Sequence, residues 1–186
     1  MSLDERVGVR TSQNPTAAAD PRALSQRILG VFANGQLPDF EAVIHPEAVN
    51  REASTQPLAC RGCGPAAFYA TGLWLRSALA EMRWDIHEVV ADGEIIVVHT
   101  TATARQTGPF VIYDGPGAVR QVFPATGKAT SATQTHWFRI ADGKVIEHWA
   151  NRDDMTMAQQ LGWIPPSLPY LLRMILAKRK ARSTAA

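Results

Sequence analysis

The chain has 186 residues, 46% of them hydrophobic and 19% charged, with a formal net charge of +2. That suffices for one domain with a sizeable core and is short for two, in an ordinary globular composition. The charge pattern lacks the basic face of a nucleic-acid binder, and no run reaches the roughly 20 apolar residues of a membrane span.

Residues 1–20 are polar and Ala-rich without periodicity and are expected to form a loose arm. Asp4 and Glu5, with no apolar run beside them, argue against a secretory leader, so a cytoplasmic setting is expected. From Pro21, the residues Leu24, Ile28, Leu29 and Phe32 fall at helical spacing up to Asn34-Gly35. A shorter helical piece covers 40–44, His45-Pro46 breaks it, and Ala48-Val49-Asn50 reads as a brief strand or turn. Cys60 and Cys63 form a CxxC pair without the second pair that zinc would want, and in a loop. They are expected to be free thiols. Pro65 opens a helix carrying Phe68, Leu73, Leu75, Leu79 and Met82.

The period then changes to that of strands, over 83–91, 94–105, 129–140 and 144–152, with an extra hairpin of 110–113 and 119–123. Residues 153–161 read as a short helix stopped by Gly162. Helices first and antiparallel strands afterwards predict an α+β domain over 21–164, its helices on one face of a curved sheet. Residues 165–186 predict a C-terminal helix, apolar at Leu168, 170–172 and 174–176, then basic at Lys178, Arg179, Lys180 and Arg182. Such a helix packs on its own domain or a dimer partner, or offers a surface to anionic lipid or another protein.

The block 135–162 carries most of the functional signal. Taking Ala141-Asp142-Gly143 as a three-residue hairpin connection makes His136 oppose His148, Phe138 oppose Ile146, and Gln134 oppose Ala150. One face then holds Gln134, His136, Phe138, Ile140, Ile146, His148 and Ala150, a mostly apolar set with a few polar groups, as in a ligand pocket. The other holds Thr135, Trp137, Arg139, Glu147 and Trp149, which suits a subunit interface. Paired imidazoles suit proton transfer at neutral pH, and they equally suit a core whose histidines are satisfied by hydrogen bonds. With Asp153 they would also make a two-histidine, one-carboxylate set, although three residues on one hairpin do not guarantee metal geometry, and no metal is expected.

With these residues placed, the chain resembles the SnoaL-like polyketide cyclase (ester cyclase) family, of the nuclear transport factor 2-like fold. The resemblance rests on Gly35-Gln36-Leu37, on Ile44-His45-Pro46-Glu47-Ala48-Val49-Asn50, on the glycine-rich 61–65, and on Thr107-Gly108 and 124–128. It is strongest from Phe138-Arg139 to Gly162 and covers about residues 22–164. It implies a cone-shaped barrel, a curved antiparallel sheet wrapped around the N-terminal helices, with a deep apolar pocket and usually a homodimer. It also implies intramolecular aldol chemistry on polyketide esters with neither metal nor cofactor. His136 falls on the family's pocket histidine, His148 on a second histidine of the hairpin, and Asn50 on an asparagine of the HPD element. Asp153 matches the second aspartate of a W-D-x-x-D-like segment, whose first aspartate, the acid/base, is Ala150 here. Gln106 replaces a typical histidine, and 113–120 looks like an insertion at the pocket mouth. The Asp–Arg–Asp set of limonene-type epoxide hydrolases is incomplete, and Asp39 and Tyr69 do not make the ketosteroid-isomerase arrangement.

The expected function is a cofactor-free enzyme moving a proton in a hydrophobic carbonyl substrate, with His136, His148 and Asp153 as catalytic candidates. Asn50, Gln134, Phe138, Ala150 and His99 are the candidate substrate contacts. The alternative is a non-catalytic binder of a lipophilic small molecule, to which the methyl group of Ala150 points.

Overall fold

The computed structural model describes residues 20–184, so the expected arm lies outside them except for Asp20. Asp20 accepts the backbone N–H of Arg22 and caps helix α1 (Pro21–Asn34), with Pro21 in its first turn. The four apolar residues of the α1 stripe are all buried, as their spacing predicts. Helix α2 (Leu37–Val43) follows, and strand β1 (Ile44–Asn50) starts directly from it. Two short 3-10 turns, Arg51–Thr55 and Leu58–Arg61, lead to helix α3 (Gly64–Ala78). Gly64 has φ of 77°, and a Cβ there would sit 2.4 Å from the carbonyl oxygen of Pro46, so only glycine fits this turn.

The strands are β2 (Leu79–Asp92), β3 (Ile95–Gln106), β4 (Phe110–Tyr113), β5 (Val119–Phe123), β6 (Ala129–Ala141) and β7 (Lys144–Arg152). Helices α4 (Asp154–Leu161) and α5 (Leu168–Thr184) close the chain. Five strands form one sheet in the order β1-β7-β6-β3-β2, and β4 and β5 make a separate two-stranded ribbon.

Four sequence expectations need correction. The sheet is open, with β1 and β2 as free edges, so the expected barrel does not close. Its β1 edge runs parallel to β7, which departs from a purely antiparallel sheet; an edge position also tolerates Pro46. Leu79 and Met82 belong to β2, not to the preceding helix, because Ala80 already pairs with Arg105. A register shift follows between Ala80 and Arg83, with Glu81 at φ of 56°, and it scrambles the strand period that sequence reading relies on.

The fourth is the register of the β6–β7 hairpin. The turn is the two-residue Asp142-Gly143, with φ of 50° and 72°, which is the type I′ geometry. His136 therefore opposes Ala150, Phe138 opposes His148, and Gln134 opposes Arg152. A register shift between Arg139 and Ile140 places one extra residue in β7 and restores the alternation beyond it. Val145, not Ile146, is the fully buried residue near the turn, while His136, Phe138, His148 and Ala150 still share a face.

The concave side of the sheet and α1–α3 enclose one core, built on Ile28, Phe40, Ile44, Phe68, Val98, Phe138 and Val145. Phe32 meets Phe40 edge-on at 5.2 Å. A second core joins Leu161, Trp163 and Tyr170 to Phe110, Phe123 and Met157, tying α4, α5 and the ribbon together. Gln106 is fully buried at the end of β3, against the second core. Its amide nitrogen donates toward the carbonyls of Gly108, Phe123 and Pro124, and its oxygen accepts from Thr126 and the Trp163 indole. Cys60 is buried and Cys63 exposed, and both are free thiols. No helix among the described residues is long and apolar enough to cross a membrane.

Candidate active site

β6 and β7 carry the two histidines inward, and Phe138 forms the floor beneath them. The rings of His136 and His148 stack with centroids 5.4 Å apart, and Phe138 lies 5.2 Å from His148. The imidazoles are 7% and 8% exposed. His136 Nδ1 is 3.1 Å from His148 Nε2. His136 Nε2 is 2.9 Å from Gln134 Oε1, and His148 Nδ1 is 3.0 Å from Asn50 Oδ1.

The orientation of both terminal amides is set by a further donor. The Trp84 indole N–H donates to Gln134 Oε1 at 3.2 Å, and the Glu52 backbone N–H donates to Asn50 Oδ1 at 3.1 Å. The chain thus runs oxygen, two imidazoles, oxygen, and it has three junctions that each need one proton. Two neutral imidazoles supply only two. A third proton would complete the chain as an imidazole–imidazolium pair, so the arrangement is built to take one up.

Burial opposes that uptake. Desolvation, with a smaller contribution from Arg152, pushes the His136 pKa from 6.5 to about 4. Burial, then His136 and Arg152, hold His148 well below its ordinary value. The pair is therefore neutral at pH 7. In the unfolded chain both rings titrate near 6.5, so between pH 6.5 and 4 the unfolded state binds more protons. Stability contributed by the neutral rings is present above about pH 6.5 and is lost as pH falls toward 4. His136 alone accounts for about 3 kcal/mol of that loss. Urea unfolding at pH 7 and near pH 4.5 measures it; a His136→Gln variant should lose much of the difference, and an unchanged pH dependence would contradict the assignment.

Sequence reasoning missed Glu52, Arg152 and Trp84. Glu52 Oε1 accepts the backbone N–H of Ala150 at 3.1 Å, and its other oxygen pairs with Arg152 at 3.1 Å. A carboxylate thus reaches the main chain of residue 150 from the turn after β1. Only the Asn50-x-Glu52 capping pattern hints at it, and that pattern says nothing of where the carboxylate ends.

Asp153 stands at the start of α4. Hydrogen bonds from Thr156 hold its pKa below the usual carboxylate range, and Asp153 is not among the hydrogen-bond partners of either histidine. His99 lies on the opposite, exposed face of the sheet, 3.2 Å from the Thr135 hydroxyl and with its ring 5.5 Å from that of His87. The structure brings together Asn50, Gln134, His136, Phe138, His148 and Ala150 of the expected residues, and leaves His99 and the Asp153 carboxylate outside the network. No group of three or more His, Cys, Asp or Glu able to hold a metal occurs among the described residues. A cavity of about 230 Å³ between α1 and β2 is lined partly by Trp84, at the outer end of the network; a second, of about 480 Å³, lies near Glu81, Thr130 and Gln160. Neither of these two is lined by His136 or His148.

The sequence profile of the SnoaL-like polyketide cyclases matches residues 22–161, which is most of the chain. The chain belongs to the SnoaL-like polyketide cyclase family. Such proteins bind small-molecule substrates. This SnoaL-like chain is 30% identical over 146 residues to the aklanonic acid methyl ester cyclase DnrD of Streptomyces peucetius, covering 77% of the present chain and 92% of that protein. Among solved structures, TsrD from Streptomyces laurentii matches with a TM-score of 0.61 at 23% identity, over 76% of this chain and 93% of that one. A SnoaL-like polyketide cyclase from Agrobacterium tumefaciens matches with a TM-score of 0.58 at 10% identity, over 77% and 99%. At those identities the structural likeness speaks for the fold.

Proposed function

We propose that this SnoaL-like protein is an enzyme that moves a proton at the carbon next to a carbonyl in a hydrophobic, polyketide-like ester. His136 is the acid/base. The observation that carries this reading is the buried imidazole pair, one proton short of its hydrogen-bond complement between two fixed amide oxygens. In the tautomer with protons on His136 Nδ1 and His148 Nδ1, His136 Nε2 is a bare base. It takes the substrate's α-proton, leaving an enolate, and the new N–H is received by Gln134 Oε1. The enolate carbon attacks a second carbonyl of the same molecule, and the resulting alkoxide recovers the proton from His136, so the pair returns to neutral. The Gln134 amide N–H₂ serves as the donor for the developing oxyanion. His148 Nε2 accepts the His136 Nδ1–H and Asn50 Oδ1 accepts the His148 Nδ1–H, which fixes this tautomer, and Phe138 keeps the floor apolar.

The methyl group of Ala150 directly opposes His136, where the resemblance puts the family's carboxylate. Imidazole chemistry therefore replaces carboxylate chemistry here, with Glu52 as the nearby negative charge. A non-catalytic binder is the second reading, favoured by the same methyl group and by the low exposure of both rings. The homodimer is part of the proposal: stacked Trp137 and Trp149, 5.8 Å apart on the outer face, suit a covering subunit.

Aklanonic acid methyl ester is a suitable first probe, because it is named for the cyclase DnrD. Incubation in D₂O should yield ring-closed product or, short of that, deuterium at the acidic carbon, both visible by mass spectrometry. Saturable binding of the ester with neither outcome would sink the enzymatic reading in favour of the binder.

A further inference from the structure

Helix α5 is anchored on one side only. Tyr170 is buried, and its hydroxyl donates to the Pro124 carbonyl at 2.9 Å. Met174 packs on the second core, and Arg173 and Arg182 donate to the carbonyls of Ala125 and Val119. These contacts fix the rotation of the helix about its axis. They leave Leu168, Leu171, Leu172, Ile175 and Leu176 pointing outward, 41% to 79% exposed. Spacings of three and four place all five on one stripe about 13 Å long. A stripe of this kind is too large to be ordinary surface scatter.

The charge around the stripe identifies its partner. From Leu168 to Thr184 the helix holds Arg173, Lys178, Arg179, Lys180 and Arg182 and no carboxylate. Arg179 continues the apolar stripe along the same face, and Lys178, half-buried, flanks it on the side of Met174. A second copy of the helix would bring the same cations and no carboxylate to meet them. An anionic lipid surface supplies both requirements, acyl chains for the leucines and headgroup phosphates for the cations. We propose that the outward face of α5 docks this protein, peripherally and reversibly, on membranes containing anionic lipid. The helix lies in the plane of the surface, since it is too short and too basic to cross. Because α5 is already folded on its own domain, docking does not carry the ordering cost of a disordered segment. A lipophilic substrate dissolved in the bilayer would then be delivered near the protein rather than through water.

Co-sedimentation of the full chain with vesicles tests this. Vesicles of phosphatidylcholine with about a third phosphatidylglycerol should bind at least about tenfold better than phosphatidylcholine alone, and about 0.5 M salt should erase most of the preference. The double variant K178Q/R179Q should weaken binding about 25-fold, at about fivefold per charge. L172E/L176E should abolish it while leaving the thermal melting curve unchanged, since both side chains are exposed. Equal binding to both vesicle types, or no binding to either, overturns the proposal. So does a halving of the solution mass by L172E/L176E in the absence of lipid, which would assign the face to a second copy.

Discussion

Replacing His136 by alanine is expected to lower both deuterium exchange and ring closure by about 10²–10⁴-fold, the usual worth of a positioned acid/base. His148→Ala should cost less, since His148 does not itself remove the proton, but it takes away the acceptor that holds the His136 Nδ1–H and so the basic tautomer. The rate of the unmodified protein should fall about tenfold per pH unit on the acid side of the pair's apparent pKa, because only the neutral pair is a base. Far-UV circular dichroism of each variant separates lost chemistry from lost structure. Unchanged exchange in a folded His136→Ala protein would remove the histidine from the mechanism. It would leave Glu52 as the charged group to examine next.

Gln106→Ala is expected to destabilise the fold by about 3–5 kcal/mol, although no part of Gln106 belongs to the histidine network. Its side chain is fully buried and has five partners: the carbonyls of Gly108, Phe123 and Pro124, the Thr126 hydroxyl and the Trp163 indole. Truncation leaves buried donors and acceptors unpaired at about 1–3 kcal/mol each, partly relieved by entering water. Guanidinium unfolding should show a lower midpoint with little change in slope. A loss under about 1 kcal/mol would mean that water satisfies the freed partners almost fully.

The fold was legible wherever one period ran uninterrupted. The α1 stripe, the ribbon of β4 and β5, the glycine stop of α4, and the strand character of 94–105 follow from spacing and turn residues alone. Reading failed where a single residue shifted the phase. The extra residue in β7 and the two-residue Asp142-Gly143 turn offset the hairpin register by one pair, so the histidines meet diagonally instead of face to face. Their shared face survived because a register error of two positions preserves sidedness. Glu52 was invisible for a different reason: its role depends on the parallel seam of β1 and β7, which joins segments about a hundred residues apart. No local pattern encodes such a pairing. Asp153, conspicuous by resemblance, turned out to be engaged as a helix cap.

That parallel seam also has a kinetic meaning. Asn50 and His148 are 98 positions apart, so the bond between them forms only after a very long loop has closed. The β6–β7 hairpin is local and can assemble early, with His136 and His148 already adjacent. The oxygen that orients His148 arrives last, when the first strand docks onto the last. The reverse order holds for native-state breathing: detachment of the edge strand releases Asn50 and Glu52 together and leaves the hairpin intact. Amide exchange in 44–50 would therefore report how often the imidazole chain loses its far end, and the lifetime of that single edge sets how long the four-residue chain stays whole.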